Sequence, residues 1–356
     1  MPKDAVRPSR VPRLPLRELP LLVLFAGLLI YFALKSPFFL TEANLQNLGR
    51  AFFPELALLT LASALVLLTR GIDLSVAATL ALSSVIVGAL TVDAGMNVWL
   101  ASGIAILVGV AAGTLNGVLI VVIGLSPIVA TLTTLTLYRG IALGLSGGNS
   151  YSGYPPDFAR LGAGTFAGIP NQVLIVLVLV VVVAVVLHRT RIGRWIYAVG
   201  GNRDAARFAG IPAGAVTIGV YACSGMLSAI AGVISVARFN TARADFATGA
   251  ELDAITAAIL GGISIAGGAG YVISAVFGAL TLAVLRNGMT LLGQSGFLQV
   301  IVIGVLLLLC VLADRGFRRL RLRREAAAQL TSVPSGSGPT TPDRPETPTP
   351  TIKESL

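Results

Sequence analysis

Charged residues are scarce in this chain. Asp, Glu, Lys and Arg make up 12% of its 356 residues, against the roughly 25% usual in soluble domains. Histidine occurs once, at His188, and cysteine twice, at Cys223 and Cys310. One histidine and two distant cysteines build neither a zinc site nor a histidine-based catalytic triad. Both cysteines lie in apolar runs and read as small hydrophobic filler. Lysine occurs only at Lys3, Lys35 and Lys353, never after a glycine. A Walker A loop, which sets a lysine on the phosphates behind a glycine, is therefore excluded. Aromatic residues make up 6% and do not interleave with basic ones, so the net charge of +10 does not describe a nucleic-acid surface.

What the chain has instead is long apolar sequence: 55% hydrophobic residues and a mean hydropathy of +0.87. A membrane-spanning helix needs about 20 apolar residues. Ten segments qualify, near 19–34, 52–69, 72–91, 98–121, 126–146, 171–188, 214–238, 253–266, 270–288 and 297–314. The fold class expected is an all-α polytopic membrane protein with about ten transmembrane helices. Span 253–266 is short and Gly-rich and reads as broken or partly re-entrant. With the N-terminus inside, 19 of the 26 Lys and Arg residues fall on the inner side, as the positive-inside rule requires. Both termini are then cytoplasmic. Residues 1–18 form a basic cytoplasmic tail rather than a cleaved signal peptide. Residues 19–315 form the transmembrane domain, and 316–356 a basic, then Pro/Thr-rich disordered tail. His188, beside Arg189, reads as an interfacial residue.

The stretch RGIDLSVAATLALSS from Arg70 is echoed by ELDAITAAILGGIS from Glu251. Setting Ile72–Leu90 against Leu252–Gly270 matches seven of 19 positions, among them Asp73 with Asp253. A second pair, Asn116-Gly117 and Asn287-Gly288, lies one span after each aspartate. An odd number of spans separates the copies, so the reading is an inverted repeat of spans 2–5 and 7–10, a mark of transporters. Each aspartate is expected to start a helix and accept from its orphan N–H groups, with Arg70 pairing to Asp73 at the inner surface. Small residues after each aspartate let helices approach closely. Hydroxyls and amides nearby make Ser75, Ser84, Asn116, Thr131, Thr134 and Asn287 candidates for a polar translocation pathway; helix–helix hydrogen bonding is the plainer use of each.

The longest inner loop, 189–213, is RTRIGRWIYAVGGNRDAARFAGIPA. Gly200-Gly201 is read as a turn, Asn202 as an N-cap, RDAARFA as a short helix, Gly210 as its stop, and Pro212 as a bar to its return. Such a helix suits docking of a soluble partner; an interfacial helix on acidic lipid is the other reading. If the chain moves solute at the expense of ATP, a second polypeptide must bring the ATP.

These motifs carry a likeness. RGIDLSVAA, LNGVLI, LSPIVATLTTLTLYRGIALGLSGG, GRWIYAVGGNRDAARFAGIP, ELDAITAAILGGISIAGGAG and LADR together resemble the permease subunit of bacterial ABC sugar importers of the ribose/xylose/arabinose branch, over roughly residues 35–315. IDLSVAA, YSGYPPDF and AARFAGIP look most like rhamnose-type permeases, and LLTRGIDLSV and AAILGGIS also resemble autoinducer-type ones. The resemblance implies a multi-pass subunit of the plasma (inner) membrane that works by alternating access. It implies a second permease, identical or homologous, and an extracytoplasmic sugar-binding protein. A cytoplasmic ABC ATPase would dock on Gly201, Asn202, Arg203, Asp204, Ala205, Ala206, Arg207, Phe208, Gly210, Ile211 and Pro212. ATP and Mg would belong to that ATPase, with no cofactor in this chain. Arg50, Arg160, Arg238 and Arg243 would be the candidates to meet carboxylates of the binding protein. The competing readings are a proton- or sodium-coupled secondary transporter, which lacks a convincing mid-membrane titratable group, and an intramembrane enzyme, for which no catalytic constellation exists.

Overall fold

The computed structural model describes residues 19–312; the two expected tails, 1–18 and 316–356, lie outside them. The described chain is a bundle of helices: α1 (Leu19–Lys35), α2 (Glu42–Asn47), α3 (Pro54–Leu68), α4 (Val76–Gly88), α5 (Val98–Val121), α6 (Pro127–Ser146), α7 (Pro156–Ala163), α8 (Asn171–Arg189), α9 (Arg191–Gly201), α10 (Arg203–Phe208), α11 (Ala213–Phe239), α12 (Ala250–Leu260) and α13 (Val272–Leu291). An apolar helix α14 (Gly296–Leu312) follows. π-helical turns at Leu48–Phe52 and Ala89–Asp93 continue α2 and α4. Two-residue strands β1 (Tyr151–Ser152) and β4 (Thr241–Ala242) pair antiparallel, as do β2 (Thr165–Phe166) and β3 (Ile169–Pro170).

Among the described residues, six helical stretches are long and apolar enough to cross a membrane, or seven if the pair Glu42–Phe52 and Pro54–Leu68, bent by 43°, is one span. Three of the ten expected spans fall outside that set. Helices α1 and α14 are apolar but shorter. Helix α12 has 11 residues, so at about 1.5 Å per residue it reaches only about half of a hydrocarbon core of about 30 Å. The rest of that segment, from Gly261 to Tyr271, is irregular, and four of its glycines, Gly262, Gly267, Gly268 and Gly270, have positive φ.

Local signals fix the helix starts. Ser126 accepts from the Val129 N–H and Pro127 follows at the first helical position of α6; proline is tolerated there because that N–H is free in any helix. Asn97 caps α5 and Thr190 caps α9. Inside the bundle α11 is the hub, packed on α3, α4 and α5. Gly109 on α5 lies so close to Gly225 on α11 that a Cβ on either would strike the other's backbone.

Some element boundaries coincide when the chain is shifted along itself, at a spacing that differs from that of the aspartates. Asn116 and Asn287 stand 171 positions apart (287 − 116). Shifting the bent pair 42–68 by that spacing lands on Ala213–Phe239 end for end, and α5 falls on α13 within three residues at each end. The aspartate register, 180 positions (253 − 73), fails. Asp73 lies three residues before α4, whereas Asp253 lies inside α12. Ser84 is mid-helix, whereas Ser264 is in the glycine loop. The matches in that register are mostly Ala, Gly and Leu, which any small-residue helix supplies.

Candidate functional site

Helix α10 is short and sharply bounded. The Asn202 side-chain oxygen accepts from the N–H groups of Asp204 and Ala205, at 3.0 Å each, and Gly210 closes the turn at φ 78°. Ala206 is its buried anchor, while Asp204, Arg207 and Phe208 are exposed, Phe208 at 93%. The residues before it are not a loop with a turn at Gly200-Gly201: they form α9, which runs through both glycines.

This end of the bundle joins three segments. Arg70 does not pair with Asp73. Its guanidinium donates instead to the carbonyl oxygens of Gly200 (2.6 Å) and Gly201, which carry the C-terminal charge of α9 and so attract a cation. Gly268 donates its N–H to Leu68 O at 2.9 Å, and the Tyr197 hydroxyl donates to Gly270 O at 2.8 Å. A Cβ at Gly200 would collide with Leu68 O. The α3–α4 turn, the end of α9 and the α12–α13 glycine loop are thus one junction beneath α10. His188 stacks on Tyr197 there.

A buried polar network starts at the same turn. The Asp73 carboxylate, 2% exposed, accepts from the Ser75 N–H (2.9 Å), the Ser75 hydroxyl (2.7 Å) and the Ser224 hydroxyl (2.8 Å). Asn116 donates to Ser75 Oγ at 2.8 Å and accepts from Thr134 Oγ1 at 2.7 Å. Thr131 and Tyr221 both donate to Ile72 O, at 3.2 and 3.4 Å. Residues of α5, α6 and α11 therefore grip the turn that carries Arg70. Buried polar groups must be satisfied in this way, and the sequence reading missed Ser224 and Tyr221 because nothing in their local pattern marks them.

Comparison with known proteins gives the family. The family described as "Branched-chain amino acid transport system / permease component" matches residues 49–311. The chain belongs to this permease family. It is 39% identical to the ribose import permease protein of Bacillus subtilis over 298 residues, 83% of this chain and 92% of the relative. It is 36% identical to the D-allose transport system permease protein of Escherichia coli over 80% of this chain and 87% of the relative. It is 33% identical to the autoinducer 2 import system permease protein of Yersinia enterocolitica over 86% and 87%. No solved structure matches. The permease is a non-catalytic, multi-pass subunit of an ABC importer in the plasma (inner) membrane, and this family implies an ATPase and a binding protein as partners.

In the permease, Ser75, Ser84, Asn116, Thr131, Thr134 and Asn287 are all buried at 1% exposure or less. In this structure the six serve as internal hydrogen-bonding groups, the plainer use that the sequence also allowed. Ser84 donates to Ala81 O and Arg243 O. Asn287 forms a reciprocal amide pair with Asn44, at 2.9 and 3.0 Å. The exposed face of α6 carries Thr133, Thr136, Gly140 and Gly144 instead.

At the opposite end of the bundle the four arginines expected to meet a partner differ. Arg238 is largely buried, donates to Arg50 O and Ala51 O, and lies 3.8 Å from Glu55. Arg50 is half-buried and its Nε has no partner. Arg160 is exposed and pairs with Asp157 at 3.1 Å. Arg243 is at the surface, donates to Asp245 (2.5 and 2.8 Å), and by that bond holds the Asp245 carboxyl below its usual range. Asp253 lies in the first turn of α12, where it also pairs with Arg286.

Proposed function

We propose that this permease imports a monosaccharide or related polar solute, handed over by an extracytoplasmic sugar-binding protein and driven by a cytoplasmic ABC ATPase that docks on α10. The chain crosses the membrane ten times with both termini, tails 1–18 and 316–356, in the cytoplasm, and the coupling loop is 189–213. The relatives' names carry ribose, allose and autoinducer 2, which favours a sugar-like solute. The inverted arrangement is supported by the packing. Helix α11 meets α4 and α5, while α3 meets α12 and α13, which is what exchange of the two halves in the 171-residue register demands.

The observation that carries the docking assignment is Phe208, an aromatic side chain 93% exposed on a capped helix that also bears Arg203, Asp204 and Arg207. An exposed large apolar group rimmed by charge marks an interaction surface. The ATPase supplies ATP and Mg, and closure of paired ATPases pushes α10. Through Arg70 that push reaches the α3–α4 turn, and through Asp73, Ser75, Asn116 and Thr134 it reaches α6. Two permeases, identical or homologous, then open and close a passage along their α6 faces.

Phe208→Asp tests this. Expected are normal membrane insertion, loss of the ATPase from a pull-down and at least tenfold slower uptake. Undiminished ATPase association removes α10 as the docking helix. Uptake that survives ATP depletion but collapses with an uncoupler replaces the whole reading by a secondary transporter.

A further inference from the structure

A cavity of about 240 Å³ opens at the end of the bundle remote from α10. Phe52, Glu55, Arg238, Asp253, Arg286 and Gln299 line it, drawn from the helices α3, α11, α12, α13 and α14 and the π turn before α3. Charges this deep among helix ends are costly and call for a use. They come as two acids and two bases. Arg286 pairs with Asp253, and Arg238 lies 3.8 Å from Glu55. Glu55 also accepts from the Ser235 hydroxyl at 3.1 Å. The Nε–H of Arg286 is buried with no partner among the described residues.

Each feature constrains the occupant. The formal charge of the lining is zero, so a charged guest would bring an uncompensated charge into the wall, at high desolvation cost. Guanidinium groups donate, carboxylates accept, and the glutamine amide does both. A hydroxyl group also does both, and a ring of hydroxyls matches such a wall where an apolar guest would leave its groups unsatisfied. Phe52, with Leu56 and Leu59, offers an apolar side. The volume lies below the about 300 Å³ at which pockets for drug-sized ligands begin, which fits a single small solute.

We propose that this cavity holds one uncharged, polyhydroxylated solute of monosaccharide size within a single permease chain, on the side where the binding protein delivers it. The inference rests on the import reading above, including its orientation. The partly exposed guanidinium of Arg286 donates to the solute, and Glu55, held only loosely by Arg238, accepts from its hydroxyls.

The test uses Gln299→Cys in the assembled permease–ATPase complex in right-side-out vesicles without binding protein, so that docking cannot shield the site. Modification by a membrane-impermeant thiol reagent is read at residue 299 by peptide mass spectrometry, with Cys223 and Cys310 left in place. A panel of neutral pentoses, hexoses and deoxyhexoses is added. The expected result is labelling from outside, slowed at least threefold by one or more of these sugars. Ser150→Cys, exposed at the same end but outside the cavity, is labelled at an unchanged rate. Labelling that no sugar slows overturns the proposal while ATP-driven uptake leaves the import reading standing; labelling only in inverted vesicles overturns the orientation. Ala250→Cys, on the cavity rim, gives the same readout if Gln299→Cys does not assemble.

Discussion

Asp73→Asn separates two uses of a buried carboxylate. In the structure Asp73 Oδ1 accepts from the Ser75 N–H and hydroxyl, and Oδ2 accepts from the Ser224 hydroxyl. Asparagine keeps an oxygen for both Ser75 donors. Its amide replaces Oδ2 with a donor, and Ser224, whose hydroxyl both donates and accepts, can turn to meet it. Three charge-assisted bonds, each worth about 1.5–3 kcal/mol, become neutral ones worth about 0.5–1.5 kcal/mol. Against that loss, a buried carboxylate with no cation beside it is relieved of its desolvation cost, several kcal/mol for an ion. The two effects oppose, so the net change is within about 1 kcal/mol, or an unfolding midpoint shift of about 2–4 °C at most. Asp73→Leu instead strands the Ser75 N–H, at about 1–3 kcal/mol for each buried group left unsatisfied, and destabilises clearly. Thermal unfolding of the purified permease, with uptake by the reconstituted importer, reads both. If Asp73→Asn unfolds normally yet abolishes uptake, the negative charge itself is required and the structural role assigned to Asp73 is wrong.

Arg70→Gln removes the cation on the Gly200 and Gly201 carbonyls; ATP hydrolysis by the assembled complex should continue while uptake falls about tenfold, and equal loss of both would mean that Arg70 serves assembly. The Asn44–Asn287 amide pair should show a coupling of about 0.6–1.7 kcal/mol in a double-mutant cycle on unfolding, the range for hydrogen bonds inside membrane bundles; additive single mutants would show that the pair contributes nothing. Asp245 titrates below its usual value because Arg243 donates to it, so the pair favours the folded loop above the unfolded-state pKa and loses that effect as pH falls through the lowered one. Arg243→Gln should raise the Asp245 titration midpoint toward about 3.9, followed by carboxyl NMR; an unmoved midpoint would mean that the ion pair does not form.

Punctuation residues made part of this architecture legible. Asn202, Gly210 and Pro212 locate α10 because an N-cap, a left-handed stop and a missing N–H act within a few residues of their own positions. Length was legible as well: α5, α6, α8 and α11 coincide with apolar runs long enough to span. What sequence cannot mark is a partner supplied from far along the chain. Arg70 stands three residues from Asp73, and proximity suggested a pair, yet the carbonyls of Gly200 and Gly201 hold it. The same holds for Ser224, Tyr221 and Arg286, whose partners come from distant segments of the chain.

The match between the two aspartate segments shows why composition misleads in a membrane core. Helices that approach closely need Gly, Ala and Ser at the contact, so unrelated segments coincide at those positions, and the aspartate register gathered most of its matches from them. Asn116 and Asn287 are more informative because a buried amide must be fully partnered, and few positions in a bundle supply that. Each asparagine sits late in its helix and ties it to residues of other segments, Asn116 to Ser75 and Thr134, Asn287 to Asn44. The register they define is the one the helix boundaries follow. It also sets the two ends of the bundle apart. The loop after α3 folds around Asp73 at the junction under α10, whereas the loop after α11 carries the exposed Arg243–Asp245 pair. The loop after α3 is thus held by side chains of three helices, whereas the loop after α11 leaves an ion pair at the surface, so substitutions in the first should cost more stability than substitutions in the second.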